Sequence, residues 1–260
     1  MDMNFNDNSS SIRLLLKKDN AITSVISRFK VFLKDNGIRT VFIRSNQNAD
    51  YVLTVARLLN DDFRVFLECD LFVYRLLKKK LPENSINIEL LPAFDIGLSV
   101  SELKEIVSEL PVRKEPSYIF IRNNSKIIDK NHTKLIFDVI IKEAGAKNIK
   151  FYWDCGFVLC AFTENELGYF IQKGSEIQFS CPSIINVDSP LEIKVCEKLD
   201  RHVDSERVLP GMSLFSISSK FQKALKPYQS FGIYQQCNNC RYFQKTCPGG
   251  CKALVIKSFQ

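Results

Sequence analysis

The sequence predicts an α/β protein, a layer of about six strand-helix units followed by a small cysteine-rich domain. Three observations carry that prediction. Apolar runs of strand length alternate with amphipathic runs of helix length over residues 12–153. Near Asp154 the alternation gives way to short apolar runs and turn residues such as Pro182, Ser189-Pro190 and Pro210-Gly211. Eight of the nine cysteines lie beyond that point.

Residues 1–11 are polar and rich in Asn and Ser, which predicts a flexible tail. Residues 12–16 form an apolar strand candidate. Over residues 21–34, Ile22, Val25, Ile26, Phe29, Phe32 and Leu33 recur at helical spacing, and Asn36-Gly37 supplies the stop. Strands are then expected at 40–43 and 63–67, with a helix over 50–59 between them. The helix over 71–81 ends at Pro82 because proline cannot continue it. A strand over 86–91 leads to a helix over 101–110, for which Ser99 and Ser101 are cap candidates. Strand 118–122, helix 132–144 with Gly145 as its stop, and strand 149–153 complete six units. Parallel strands joined by right-handed helical crossovers, at a repeat of roughly 25 residues, bury such runs most simply. The expected domains are therefore 12–154 and 155–260.

With 45% hydrophobic and 25% charged residues the chain matches an ordinary globular protein able to build its core without staples. The start lacks the basic and apolar regions of a secretory signal, and no apolar run approaches the ~18 residues of a membrane span. A cytoplasmic protein with no membrane partner is expected. In that reducing compartment disulfides are disfavoured, and an odd count of nine cysteines points the same way. The formal charge of +7 suits an acidic partner, but lysines such as Lys17-Lys18 and Lys78-Lys79-Lys80 read as solvated helix faces. No nucleic-acid-binding motif accompanies them, so no nucleic acid is expected as a partner.

Ordinary hydrolase and kinase chemistry finds no support. The two histidines, His132 and His202, have no cysteine or histidine at metal-ligand spacing, and no H-E-x-x-H sequence or phosphate-binding glycine loop is present. Asp61, Asp62, Glu68 and Glu89 read as surface charges, and Tyr152 and Trp153 as packing residues. No catalytic residue is assigned.

The chemistry is concentrated in Cys237, Cys240, Cys247 and Cys251, spaced C-x2-C-x6-C-x3-C around Gly249-Gly250. Four thiols this close along a chain can converge on one centre, and soft thiolates select zinc or iron-sulfur clusters over hard cations. Glycines beside the last ligands allow the backbone to fold tightly around such a centre. Cys155 and Cys160, and further on Cys181 and Cys196, precede this motif. Cys69, inside an apolar run, reads as a small buried hydrophobe.

The order of six β/α units, then Cys181-x14-Cys196, then Cys237-x2-Cys240-x6-Cys247-Pro-Gly-Gly-Cys251, resembles radical S-adenosylmethionine enzymes with a C-terminal SPASM domain. That family matures peptides and proteins. The resemblance implies a partial (β/α)6 barrel followed by an extension holding one or two auxiliary [4Fe-4S] clusters, with the segment from Asp154 to Cys160 as the join. It implies one cluster on Cys181, Cys196 and Cys251, completed by Cys160 or Cys155, and another on Cys237, Cys240 and Cys247. From spacing alone, a single cluster on Cys237, Cys240, Cys247 and Cys251 is the simpler assignment.

Two departures from the family stand out. Its C-x3-C-x2-C loop would follow the first strand, where this chain has Leu16-Lys17-Lys18-Asp19-Asn20 without a cysteine. Its cofactor-recognising glycine turn would fall near Ser45-Asn46-Gln47 and is absent as well. Without those three thiolates the chain is not expected to cleave S-adenosylmethionine unaided. The expected function is that of a degenerate relative, a cluster-binding accessory subunit that relays electrons or presents substrate to a protein or peptide partner in maturation. The alternatives are a structural zinc protein on the same thiols and a maturase active only when a partner completes it.

Overall fold

The structure is a computed structural model that describes residues 11–16, 22–45, 49–81, 85, 87–112, 116–123, 130–144, 147–154, 157–173, 176–177, 185–188, 191–199, 203–209 and 211–257. Strand and helix alternate as β1 (Ser11–Leu16), α1 (Ile22–Asp35), β2 (Thr40–Ser45), α2 (Ala49–Leu59), β3 (Arg64–Cys69), α3 (Leu71–Lys80) and β4 (Ile88–Asp95). They continue as α4 (Val100–Glu109), β5 (Ser117–Arg122), α5 (Lys130–Val139), β6 (Ile149–Trp153), α6 (Glu164–Gln172) and β7 (Glu176–Ile177). The remaining elements are β8 (Ile185–Asp188), β9 (Glu192–Lys194), β10 (Glu206–Arg207), α7 (Leu214–Leu225) and α8 (Lys252–Lys257). The chain is thus α/β with parallel strands and helical crossovers, and each of the six expected strands is present.

The chain folds as two compact units: Met1–Leu91 with Pro182–Pro227, and Pro92–Cys181 with Tyr228–Gln260. They do not follow the change of composition near residue 154. Strand β8 lies far beyond that point, yet it pairs in parallel with β1, Ile12 opposite Ile185 and Leu14 opposite Val187. The strand-helix alternation runs past the composition shift, through α6 to β7 beside β6. Compactness follows long-range strand pairing, which no local pattern encodes.

In the first unit the strand order is β10-β9-β8-β1-β2-β3, with β8, β1, β2 and β3 parallel and β9 and β10 added antiparallel. The first three strands follow chain order, so crossovers of the usual right hand put their helices on one face. Helix α2 packs between α1 and α3 accordingly. Side chains alternate across a strand, and the parity is clean here. Ile12, Leu14, Val41, Ile43, Val65 and Leu67 form a fully buried aliphatic face, matched by the buried stripes Phe29-Leu33 and Val52-Val55-Ala56-Leu59 of α1 and α2. Helix α7 is held by the end of α1. Asn36 Nδ2 donates to the Met212 carbonyl at 3.0 Å, and its Oδ1 accepts from Leu214 N at 2.7 Å, capping a helix whose own Ser213 makes no side-chain cap.

The opposite parity of β1, β2 and β3 carries Arg13, Phe42, Arg44, Phe66 and Glu68. Phe42 stacks on Phe66 at 5.1 Å, and the Arg64 guanidinium lies 4.7 Å over the Phe66 ring. Glu68 corrects an expectation: it is not a surface charge. Its side chain is 0% exposed, with Oε2 3.1 Å from Arg13 Nε and Oε1 3.6 Å from Arg44 Nε. Asp62 and Glu89 do lie at the surface, paired with Lys30 and Lys34 and with Arg64 respectively.

In the second unit β4, β5, β6 and β7 are parallel and in chain order. The strand expected to stop at Leu91 instead runs through Pro92 to Asp95. Proline removes one ladder donor and need not end a strand. Trp153 anchors the core, packing edge-on to Phe137 of α5 at 5.4 Å, Phe170 of α6 at 4.8 Å and Phe157 at 5.0 Å. On the other parity of β5 and β6, Tyr118 stacks on Tyr152. Helix α4 starts at a reciprocal capping box between Ser99 and Glu102, and α6 at one between Thr163 and Glu166. The helix expected over 132–144 is α-helical to Val139 and then widens to a π-turn over Ile140–Ala144. His132 lies in its first turn, with Nε2 3.0 Å from the Leu98 carbonyl; His202 lies outside the described residues.

Candidate metal centre

The four C-terminal cysteines sit on a compact knot of turns. Tyr228 to Ser230 leads into a short 3-10 turn over Gln235–Asn239, then a reversal at Tyr242–Cys247, and finally α8. Main-chain hydrogen bonds wind it tightly: Cys240 N to the Cys237 carbonyl at 3.1 Å, Phe243 N to Cys240 at 3.1 Å, and Cys247 N to Tyr242 at 3.0 Å. Gln244, at φ 61°, turns the reversal. The Ile233 N to Gly249 O bond, 2.9 Å, ties the start of the knot to its end.

Glycine makes this winding possible. A Cβ on Gly232 would fall 2.4 Å from Cys237 Sγ, and one on Gly249 would fall 2.5 Å from Phe243 Cε2 and 2.8 Å from Gly232 Cα. Gly249 and Gly250 take φ of 81° and 92°, the left-handed region that side chains resist. Cys237 is thereby laid beside the loop that separates Cys247 from Cys251. Cys237, Cys247 and Cys251 are buried and Cys240 is exposed. Cys237, Cys240 and Cys247 are not in disulfides.

A buried lysine holds the knot from inside. Lys252, 3% exposed, donates to the Phe231 carbonyl at 3.0 Å and also to the Pro248 carbonyl. An ammonium at such depth persists only with its donors satisfied. It joins the two ends of the knot one residue from Cys251. The sequence hides it, since lysine ordinarily marks a surface.

The other candidate ligands distribute unevenly. Cys160, exposed, stands in a 3-10 turn over Leu159–Ala161. That segment reaches the knot through Val158, whose Cγ1 lies 2.8 Å from where a Gly250 Cβ would be. Cys196, half-buried, follows β9 and belongs to the first unit. Cys155 and Cys181 lie outside the described residues. Cys69 is buried at the end of β3, as its apolar surroundings predicted.

The donor set fits a thiophilic metal in its chemistry and in its glycine cradle. The thiols share one knot, but they do not form a finished coordination sphere: among the described residues no group of three or more His, Cys, Asp or Glu side chains is placed to hold a metal ion. No helix among the described residues is long and apolar enough to cross a membrane. Fold and knot together define the class, an α/β protein with a glycine-lined C-terminal cysteine motif. Comparison with known proteins adds nothing to that class: no family model, no curated protein and no solved structure matches the chain.

Proposed function

We propose that this chain is an iron-sulfur-binding accessory protein, a degenerate relative of radical S-adenosylmethionine maturases that keeps a SPASM-like thiol set without a cofactor-cleaving loop. The observation that carries this reading is the concentration of Cys237, Cys240, Cys247 and Cys251 in one glycine-wound knot with three of the four thiols buried. The parallel runs β1-β2-β3 and β4-β5-β6-β7, each in chain order with helical crossovers, are the arrangement a partial barrel would use, although β8, β9 and β10 extend the first unit's sheet beyond β1. Among the described residues Cys160 is a candidate added ligand, since its segment reaches the knot where Val158 meets Gly250.

A thiolate-held cubane supplies one-electron transfer. The residues of the knot bind and shield it: Cys237, Cys247 and Cys251 offer sulfur from within, Cys240 from the rim, and Gly249 and Gly250 bring backbone close. Among the described residues no ligand set is preformed, so metal binding would be coupled to the final ordering of the knot. Metal should therefore stabilise the fold by mass action.

Anaerobic preparation tests the reading. Iron and sulfide together, a broad absorbance near ~400 nm, and their loss in Cys237→Ala are the expected results. Stoichiometric zinc without iron would replace the cluster by a tetrahedral zinc site on the same four thiols. A protein that takes up neither metal overturns both readings. Formation of 5′-deoxyadenosine by the isolated chain would show that it needs no partner enzyme.

A further inference from the structure

Glu206 is the last acidic residue of the chain. Beyond it stand eight Lys and Arg residues, Arg207 to Lys257, and no Asp or Glu. With 36 cations and 29 acids in all, 28 cations face 29 acids up to Glu206, so the whole excess of +7 resides after it. The excess is therefore carried by the stretch after Glu206, half of it by Arg207, Lys220, Lys223 and Lys226 ahead of the knot and half by Arg241, Lys245, Lys252 and Lys257 within it.

The knot displays part of this charge on an ordered surface. Arg241 and Lys245 are exposed on either side of Tyr242, in the reversal that follows Cys240. The Arg241 guanidinium lies 4.6 Å over the Tyr242 ring and also donates to its hydroxyl, which holds the pair in one pose. Tyr242 is 38% and Phe231 42% exposed, and Gln235, Gln236, Asn238 and Asn239 are exposed around the same turns. Lys252 takes no part, being buried against main-chain carbonyls.

We infer that the exposed turn over residues 241–245 docks an acidic segment of a partner polypeptide, its carboxylates meeting Arg241 and Lys245 and an apolar side chain resting against Tyr242. A stretch of chain without acids, with Arg241 and Lys245 exposed on it, favours such a segment at long range, and a preset Arg-Tyr pair anchors it at short range. Single-stranded nucleic acid fits less well. It uses open ring faces and a track of cations, on the order of six to ten phosphate contacts for a firm grip. Here the Tyr242 face already carries Arg241, and two exposed cations flank it. Docking at this place would bring the partner to Cys240, the exposed thiol of the set. The inference rests on reading the chain as a partner-binding subunit, and it is independent of which metal the thiols hold.

The test titrates the full chain into a fluorescein-labelled peptide of alternating Glu and Leu, into its Gln counterpart, and into a single-stranded RNA oligonucleotide of equal length. Iron, sulfide and zinc are measured on the same samples. The Glu peptide is expected to bind, more weakly as salt rises, and the Gln peptide not to bind. Arg241→Glu with Lys245→Glu should weaken binding at least about tenfold at unchanged metal content and circular dichroism, whereas reversal of exposed Arg57 on α2 should leave it unchanged. Absence of Glu-peptide binding overturns the inference, as does binding indifferent to the double reversal or RNA bound as tightly as the peptide. Docking that persists in a metal-free preparation would strike the metal reading alone.

Discussion

Gly232 lies directly against Cys237: a Cβ built on the glycine would stand 2.4 Å from both Cβ and Sγ of the cysteine. Neither atom is the far end of a flexible side chain, so any residue larger than glycine must push the thiol or its backbone aside. Gly232 is also within the packing of Gly249, so the same displacement reaches the loop between Cys247 and Cys251.

Gly232→Ala should therefore destabilise the second unit by about 1–3 kcal/mol, the usual cost of overpacking a tight site. Its metal content should fall together with that of Cys237→Ala. Denaturant unfolding and metal analysis of the two variants measure this. Full metal uptake by Gly232→Ala would show that the position of Cys237 is immaterial.

Lys252 should behave as a core residue. Lys252→Met keeps most of the apolar stem but withdraws the donors to the Phe231 and Pro248 carbonyls. The expected loss is about 1–3 kcal/mol, accompanied by faster alkylation of Cys247 and Cys251 in the native state. Mass spectrometry after timed exposure to iodoacetamide reads that rate residue by residue.

Glu68 joins β3 to charges on β1 and β2. Removing one partner of a buried ion pair is costly because the remaining charge keeps its desolvation, and Glu68→Gln is expected to destabilise by about 3 kcal/mol. Arg44→Ala should cost less, since its side chain is 26% exposed while that of Arg13 is 9% exposed. Paired denaturant curves give the order, and equal losses would contradict it.

Asp62 sets an acid limb. The hydrogen bond from Lys30, followed by that from Lys34, holds its carboxyl below the ordinary value of 3.8, against a smaller opposing effect of burial. A carboxyl whose folded pKa is depressed contributes stability above its unfolded pKa and loses it as pH falls through the folded one. The contribution is thus complete at neutral pH, declines below about pH 4, and is small because the group is solvent-accessible. Thermal unfolding from neutral to acid pH should show Asp62→Asn converging on the parent at the acid end.

Much of the fold was legible from periodicity. Strand 149–153 and helix 50–59 stand almost where their apolar spacing put them, because each is specified by which of its own residues must be buried. Glu68 was misread since a lone carboxylate in an apolar run carries no local sign of the arginines on the two preceding strands. The acid-free stretch after Glu206 was readable in the letters alone and is obscured only by averaging charge over the chain.

By itself, the sequence determined the α/β alternation, the four-thiol motif and the lack of cysteines directly after the first strand, because each depends on residue type and spacing along the chain. Tertiary structure alone decided that β8 joins β1, that Cys240 faces out while Cys237, Cys247 and Cys251 face in, and that Lys252 lies inside. Those outcomes depend on contacts between distant segments, whose free energy is realised only when the chain has closed on itself.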